Sequence, residues 1–188
     1  MAGPLFSTAE CDFNTLLAEQ LRLRGHEIFL PQEHEQRSDR PDLIFKSDVA
    51  GIDWSDCVLA NLDGPDPDSG TCWELGYGFK NKLIVVYRTD FRLFEGSDKV
   101  NLMMTESADH VIYAPKASVQ ELAERIDRAL RSLRDHTVAD QFGGFDRVVK
   151  SDRGNDAGIT RESAYARHVA GGRSGEVRLT PVYQHADK

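Results

Sequence analysis

Carboxylates crowd one stretch of this 188-residue chain. Between Asp56 and Phe79 an apolar segment, Cys57 to Leu62, leads into Asp63, Asp66 and Asp68, set among Gly64, Pro65, Pro67 and Gly70. Glu74 follows in a segment that opens near Thr71. The apolar run reads as a buried strand, the Asp/Gly/Pro run as a loop, and the rest as a helix with Glu74 in its first turn. In an open α/β sheet, ligands bind just beyond the carboxyl ends of the strands. An ionised glutamate there can act as a nucleophile, and a helix N-terminus favours its ionised form. The same electrostatics makes acids common in first helical turns with no chemistry attached. Asp63 and Asp66 have an equally plain explanation as turn formers, whereas Asp68 would share the strand end with Glu74. Asp48, one turn before Ile52 on a preceding helix, is the third candidate. On a buried face it needs a partner or a ligand; on a solvated face it needs neither.

The elements that must position these acids follow from periodicity and punctuation. Ala2-Gly3-Pro4-Leu5-Phe6 reads as the end of a strand and its loop, with most of the strand missing. Ser7-Thr8-Ala9-Glu10 has the capping-box pattern, and Phe13, Leu16, Leu17 and Leu21 continue at helical spacing to Gly25. His26 to Leu30 is expected to be a short strand, Gln32 to Arg40 a loop, and Pro41 to Trp54 a helix. Lys82 to Tyr87 is a nearly continuous apolar run, Thr89 to Val100 a loop, and Asn101 to Met104 the start of a short helix. Val111 to Ala114 reads as a last strand and Ser118 to Leu133 as an amphipathic helix. Apolar strands alternating with helices indicate a parallel sheet covered on both faces. The expected fold is α/β, a flavodoxin-like doubly wound sheet in three layers over residues 1 to 134.

Residues 135 to 188 change in character. Asp135 to Asp140 reads as a linker. Phe145 to Lys150 and Glu176 to Tyr183 read as strands flanking a helix over Arg161 to Ala170, a small α+β extension without site chemistry. Gly76 and Gly78 lie inside the Glu74 helix, so they form no dinucleotide fingerprint and suit close helix–sheet packing instead.

Composition narrows the partners. A formal net charge of -8 argues against nucleic acid as a ligand. No run of about 18 apolar residues offers a membrane span, and the N-terminus lacks the pattern of a secretory signal. Cys11, Cys57 and Cys72 have no metal or disulfide spacing and suit reduced thiols in a cytoplasmic protein. The six histidines show no ligand spacing either, so no metal or other cofactor is expected.

Four features recur in a known order: Ala2-Gly3-Pro4-Leu5-Phe6, Asp48, the run Asp68-Ser69-Gly70-Thr71-Cys72-Trp73-Glu74-Leu75-Gly76, and Asn101-Leu102-Met103. In these the chain resembles the nucleoside 2-deoxyribosyltransferases and their N-glycosidase relatives. The resemblance implies that Glu74 attacks the anomeric carbon of a 2′-deoxynucleoside, that Asp48 protonates the departing base, and that Asp68 orients base or sugar. It implies substrate contacts from Gly3, Pro4, Phe6, Asp68, Gly70, Asn101 and Met103, with Asn101 reaching into a neighbouring subunit's pocket. The partners would be nucleosides and free nucleobases, and the assembly a homo-oligomer built from dimers, up to a hexamer. Family members carry a full first strand before Ala-Gly-Pro, with a tyrosine that orients the nucleophile; Met1 alone stands there in this sequence.

Three activities fit these features: base exchange through a deoxyribosyl-Glu74 ester, hydrolysis of a nucleoside 5′-monophosphate, and ligand binding without turnover. The bulky, apolar Pro4-Leu5-Phe6 favours an unphosphorylated 5′ end, because a phosphate site wants small residues and exposed amides. Ser7 and Ser69 keep the phosphorylated substrate open.

Overall fold

The computed structural model describes residues 1–34, 36, 39–92 and 100–142. Its elements are α1 (Thr8–Arg22), a 3-10 turn (Pro31–Glu33), α2 (Pro41–Trp54), β1 (Cys57–Asn61), α3 (Ser69–Gly78), β2 (Leu83–Arg88), α4 (Leu102–Ser107), β3 (His110–Tyr113) and α5 (Val119–Phe142). The three strands are parallel in the order β1-β2-β3, with Cys57 opposite Leu83 and Val85 opposite His110.

Beside β1 the chain start forms a single bridge. Ala2 forms a parallel bridge to Ala60, its amide donating to the Leu59 carbonyl (2.8 Å) and its carbonyl accepting from Asn61 (2.9 Å). On the other side of this segment the Met1 amino group donates to the Phe29 carbonyl at 2.6 Å. The lateral order is therefore the Phe29 segment, Ala2, β1, β2, β3, which is the flavodoxin-like order with its first two strands reduced. This corrects one expectation. His26 to Leu30 is not a strand, because a ladder needs a partner of comparable length and Met1–Ala2 offers only one bond.

Strict alternation makes the layers. Leu59, Val85 and Tyr87 point to one face, where they pack with Leu17 and Leu21 of α1 and Leu122, Ala123 and Ile126 of α5. Val58, Ala60, Ile84 and Val86 point to the other, against Ile52 of α2 and Leu75 of α3, with Met104 of α4 partly buried alongside. Both faces of the sheet are thus covered, as the unbroken apolar strand sequences imply.

The Ser7–Glu10 capping box opens α1 as expected, and Gly25 supplies the left-handed residue after it (φ 89°). Leu16, placed by spacing on the buried face, is 51% exposed. The 24-residue α5 runs on through Asp135 to Asp140, which are helical. The segments 145–150, 161–170 and 176–183 lie outside the described residues.

The two glycines of α3 differ. A Cβ on Gly78 would stand 2.8 Å from Val58 Cγ2 and 3.5 Å from Ile84 Cδ1, so close helix–sheet approach explains this glycine. Gly76 is exposed and a Cβ there meets nothing within 4 Å. Gly78→Ala should therefore lower stability by about 1–3 kcal/mol through overpacking. Gly76→Ala should raise it by up to about 1 kcal/mol, since Ala is the better helix former. Urea melts of the two variants that move in the same direction would contradict this packing.

Candidate active site

Local chemistry at the carboxyl end of β1 builds the site. Asn61 Oδ1 accepts from the Asp63 amide (2.8 Å), turning the chain as it leaves the strand. Asp63 then reaches across to β2's exit, accepting from the Thr89 amide and hydroxyl (2.6 Å each) and the Asp90 amide (2.7 Å). Asp90 accepts from the Gly64 amide (3.3 Å) and pairs with the Arg92 guanidinium, which holds its carboxyl well below the usual range. Arg88, 7% exposed, donates to the Leu62 carbonyl from the same strand end. Asp63 is thus a clasp between two strand exits, a stronger role than turn formation. Asp66 is exposed.

Past the clasp, Asp68 caps α3. Its Oδ2 accepts from the Thr71 amide (2.9 Å) and hydroxyl (3.2 Å). A Cβ on Gly70 would lie 3.0 Å from that oxygen, so a glycine lets the carboxylate fold back over the helix start. The cap starts α3 at Ser69, earlier than expected, and puts Glu74 in the second turn. Its ionisation therefore gains little from the helix terminus, whose effect fades within the first turn.

Glu74 behaves accordingly. Burial, the Asp48 charge and, more weakly, Asp68 push its carboxyl from the usual 4.5 up to about 7, with the Met1 ammonium opposing them. Asp48 also lies above its usual range, chiefly from burial, with His34 and the Met1 ammonium pulling it back. Asp48 Oδ1 is buried and has no hydrogen-bond partner among the described residues. An orphaned carboxylate oxygen inside a protein is costly and calls for a ligand or a proton. Burial in turn depresses the Met1 amine, offset first by Glu74.

The expected site residues thus separate into two groups. Asp48 and Asp68 both lie within electrostatic reach of Glu74. Gly3 and Pro4 are half-buried, a Cβ on Gly3 lying 3.2 Å from Asn61 Cβ, whereas Phe6 is 79% exposed. Asn101 caps α4, its Oδ1 accepting from the Met103 amide (2.9 Å), and both residues face solvent. Among the described residues they share no hydrogen bond with the acids.

Three features escaped sequence reasoning. The His34 ring stacks on Phe29 (centroids 4.1 Å apart, planes 4° apart), and Phe29 packs on Gly51, one turn from Asp48. Trp73 stacks on Tyr77 (5.2 Å) and meets Phe45 (5.4 Å), an exposed aromatic face beside Glu74. Asn14, buried inside α1, hydrogen-bonds the first loop. The Trp73/Tyr77 spacing of four is a visible signal for the second; the others join residues across loops, where no helical or strand period relates them. Among the described residues no cluster of His, Cys, Asp and Glu is arranged to hold a metal ion. No described helix is long and apolar enough to cross a membrane.

Comparison with known proteins gives this arrangement a lineage. A conserved protein of Enterococcus faecalis V583 superposes with a TM-score of 0.56 at 25% identity, over 68% of this chain and 95% of its own. A 2-deoxyribosyltransferase from Bacillus psychrosaccharolyticus superposes at 0.51 and 25% identity, over 65% and 87%. No curated relative matches. The family model for nucleoside 2-deoxyribosyltransferase matches residues 1–112, from the first loop through α4 and into β3. Members of that family are enzymes acting on N-glycosidic bonds of small nucleosides. The chain belongs to the nucleoside 2-deoxyribosyltransferase family.

Proposed function

We propose that the protein moves a 2-deoxyribosyl group between nucleobases through a covalent ester on Glu74. The observation that carries this reading is the pair of partly buried, electrostatically coupled carboxylates, Asp48 and Glu74, one with an oxygen that nothing among the described residues satisfies. Two carboxyls that raise each other's proton affinity titrate as a unit, and over a window of pH they hold one proton between them. The reactive arrangement is the one with Glu74 ionised and Asp48 protonated. A Glu74 oxygen attacks the anomeric carbon, the N-glycosidic bond breaks, and its electron pair leaves with the base, which takes the proton from Asp48. The incoming base reverses these steps, so two inversions retain configuration, as in a retaining glycosidase. Asp68 fixes the start of the helix that carries Glu74, and the apolar Pro4 and Phe6 suit an unphosphorylated sugar end. No cofactor is required.

The exposed Asn101, Leu102 and Met103, together with the Phe45–Trp73–Tyr77 face, support an active unit of at least two chains. In that unit Asn101 of one chain completes the pocket of another.

Incubation with thymidine or deoxyinosine plus free adenine, followed by chromatography, tests the reaction. A new deoxynucleoside is expected; free base alone indicates hydrolysis, and no product from any nucleoside or nucleotide sinks the enzyme. Glu74→Ala should be inactive, and so should Asn101→Ala. If subunits exchange, mixing the two should restore activity in mixed dimers, because one pocket then holds Glu74 together with a partner chain's Asn101. Full activity of Glu74→Ala rules out the nucleophile.

The raised acid also predicts how stability depends on pH. Its pKa in the fold, about 7, exceeds the usual 4.5, so the fold favours the protonated form. The contribution is full below the unfolded value and is lost as pH rises through about 7. Glu74→Gln removes this penalty. Its stability relative to the parent should improve by about 2–3 kcal/mol between pH 5 and pH 8. Denaturation curves showing a constant difference across that range would refute a desolvated Glu74.

A further inference from the structure

Beyond Ala2 the first loop has no sheet to hold it; side chains of α1 do so instead. Asn14, 5% exposed, donates from Nδ2 to the Pro4 carbonyl (3.0 Å) and to Gln32 Oε1 (3.3 Å). Gln32 Nε2 donates onward to the Cys11 carbonyl (2.8 Å) and Thr15 Oγ1 (2.9 Å), seating the amide pair on α1. Cys11 Sγ lies 3.3 Å from the Leu5 carbonyl, and the Glu10 carboxylate accepts from the Phe6 (3.0 Å) and Ser7 (2.8 Å) amides. Residues 4 to 7 are therefore each pinned by a backbone group to one helix.

Asn14 is the unexpected member. It occupies the buried face of α1, where Leu17, Ala18 and Leu21 otherwise pack. An asparagine is a poor helix former, and its burial is tolerated only when its amide is bonded. An apolar residue would serve the core better, so packing does not explain it. What Asn14 does is hold the Pro4 carbonyl in place. Gly3 next to it lies flush with Asn61 at the end of β1, which sets the loop at the same carboxyl end of the sheet as the Asp63–Asp68 loop.

We infer that Asn14, seated by Gln32, is a positioning residue that aims the Gly3–Phe6 loop at the sugar end of the substrate and so sets recognition of the 5′-hydroxymethyl group. The inference rests on the proposed nucleoside chemistry. It places Asn14 outside proton transfer, because Asp48 and Glu74 stand on other helices.

Calorimetric binding in a Glu74→Ala background, which blocks turnover, tests it. The ligands are thymidine, its 5′-deoxy analogue and free thymine. Asn14→Asp keeps the side-chain size but replaces both Nδ2 donations with an acceptor. It should erase most of the preference for thymidine over the 5′-deoxy analogue, a change of about tenfold, the size expected for one well-placed hydrogen bond. Affinity for thymine should stay within twofold. Gln32→Ala, at a half-buried position, should shift the same preference less and serves if Asn14→Asp does not fold. An unchanged preference in the folded variants, or a parallel fall in thymine affinity, overturns the positioning role while leaving the nucleoside chemistry standing. Failure of the Glu74→Ala protein to bind any of the three ligands overturns both.

Discussion

Two carboxylates that the fold buries against their own interest organise everything else in this molecule. Asp48 and Glu74 come from different helices; burial raises the cost of ionising both, and the Asp48 charge raises it further at Glu74. Nothing in the chain neutralises them with a guanidinium or a metal among the described residues. Near neutral pH that leaves Glu74 divided between acid and carboxylate. In the proposed reaction, a substrate that accepts a proton and a covalent bond relieves this unfavourable interaction.

Such a pair needs a rigid frame, because a loose one would splay the acids apart into water. The frame is built at the strand exits. Asp63 ties β1's exit to Thr89 and Asp90 at β2's exit, Arg88 closes on the Leu62 carbonyl, and Asp68 caps the helix that bears Glu74. Gly78 lets that helix sit directly on Val58. The acids near these strand exits thus divide by what their oxygens accept. Asp63 and Asp90 are consumed by backbone amides and cations, Asp68 is partly consumed, and Glu74 and Asp48 are not.

Much of this was legible in the residues. Unbroken apolar runs such as Lys82–Tyr87 identified strands buried on both faces, and Ser7–Glu10 marked the start of α1 to the residue. Local patterns failed where the deciding partner was absent or remote. His26–Leu30 has strand character, yet only one bond from Met1 reaches it. Glu74 reads as a first-turn acid when the helix starts near Thr71; the Asp68 cap starts it at Ser69 instead. Asp63 looked like a turn residue since its partners lie 26 residues away. Asn14 carried no signal at all, because an asparagine at a core position of a helix is indistinguishable from noise until its acceptors are located.

The measurement that bears most directly on the central claim is a search for the ester itself. The protein is quenched in acid after incubation with a 2′-deoxynucleoside and no acceptor base, digested, and analysed by mass spectrometry. The account predicts a 2-deoxyribosyl adduct confined to the peptide that carries Glu74, absent when the acceptor is supplied in excess. Turnover with no adduct on that peptide under any quench, or with an adduct on another residue, would contradict it.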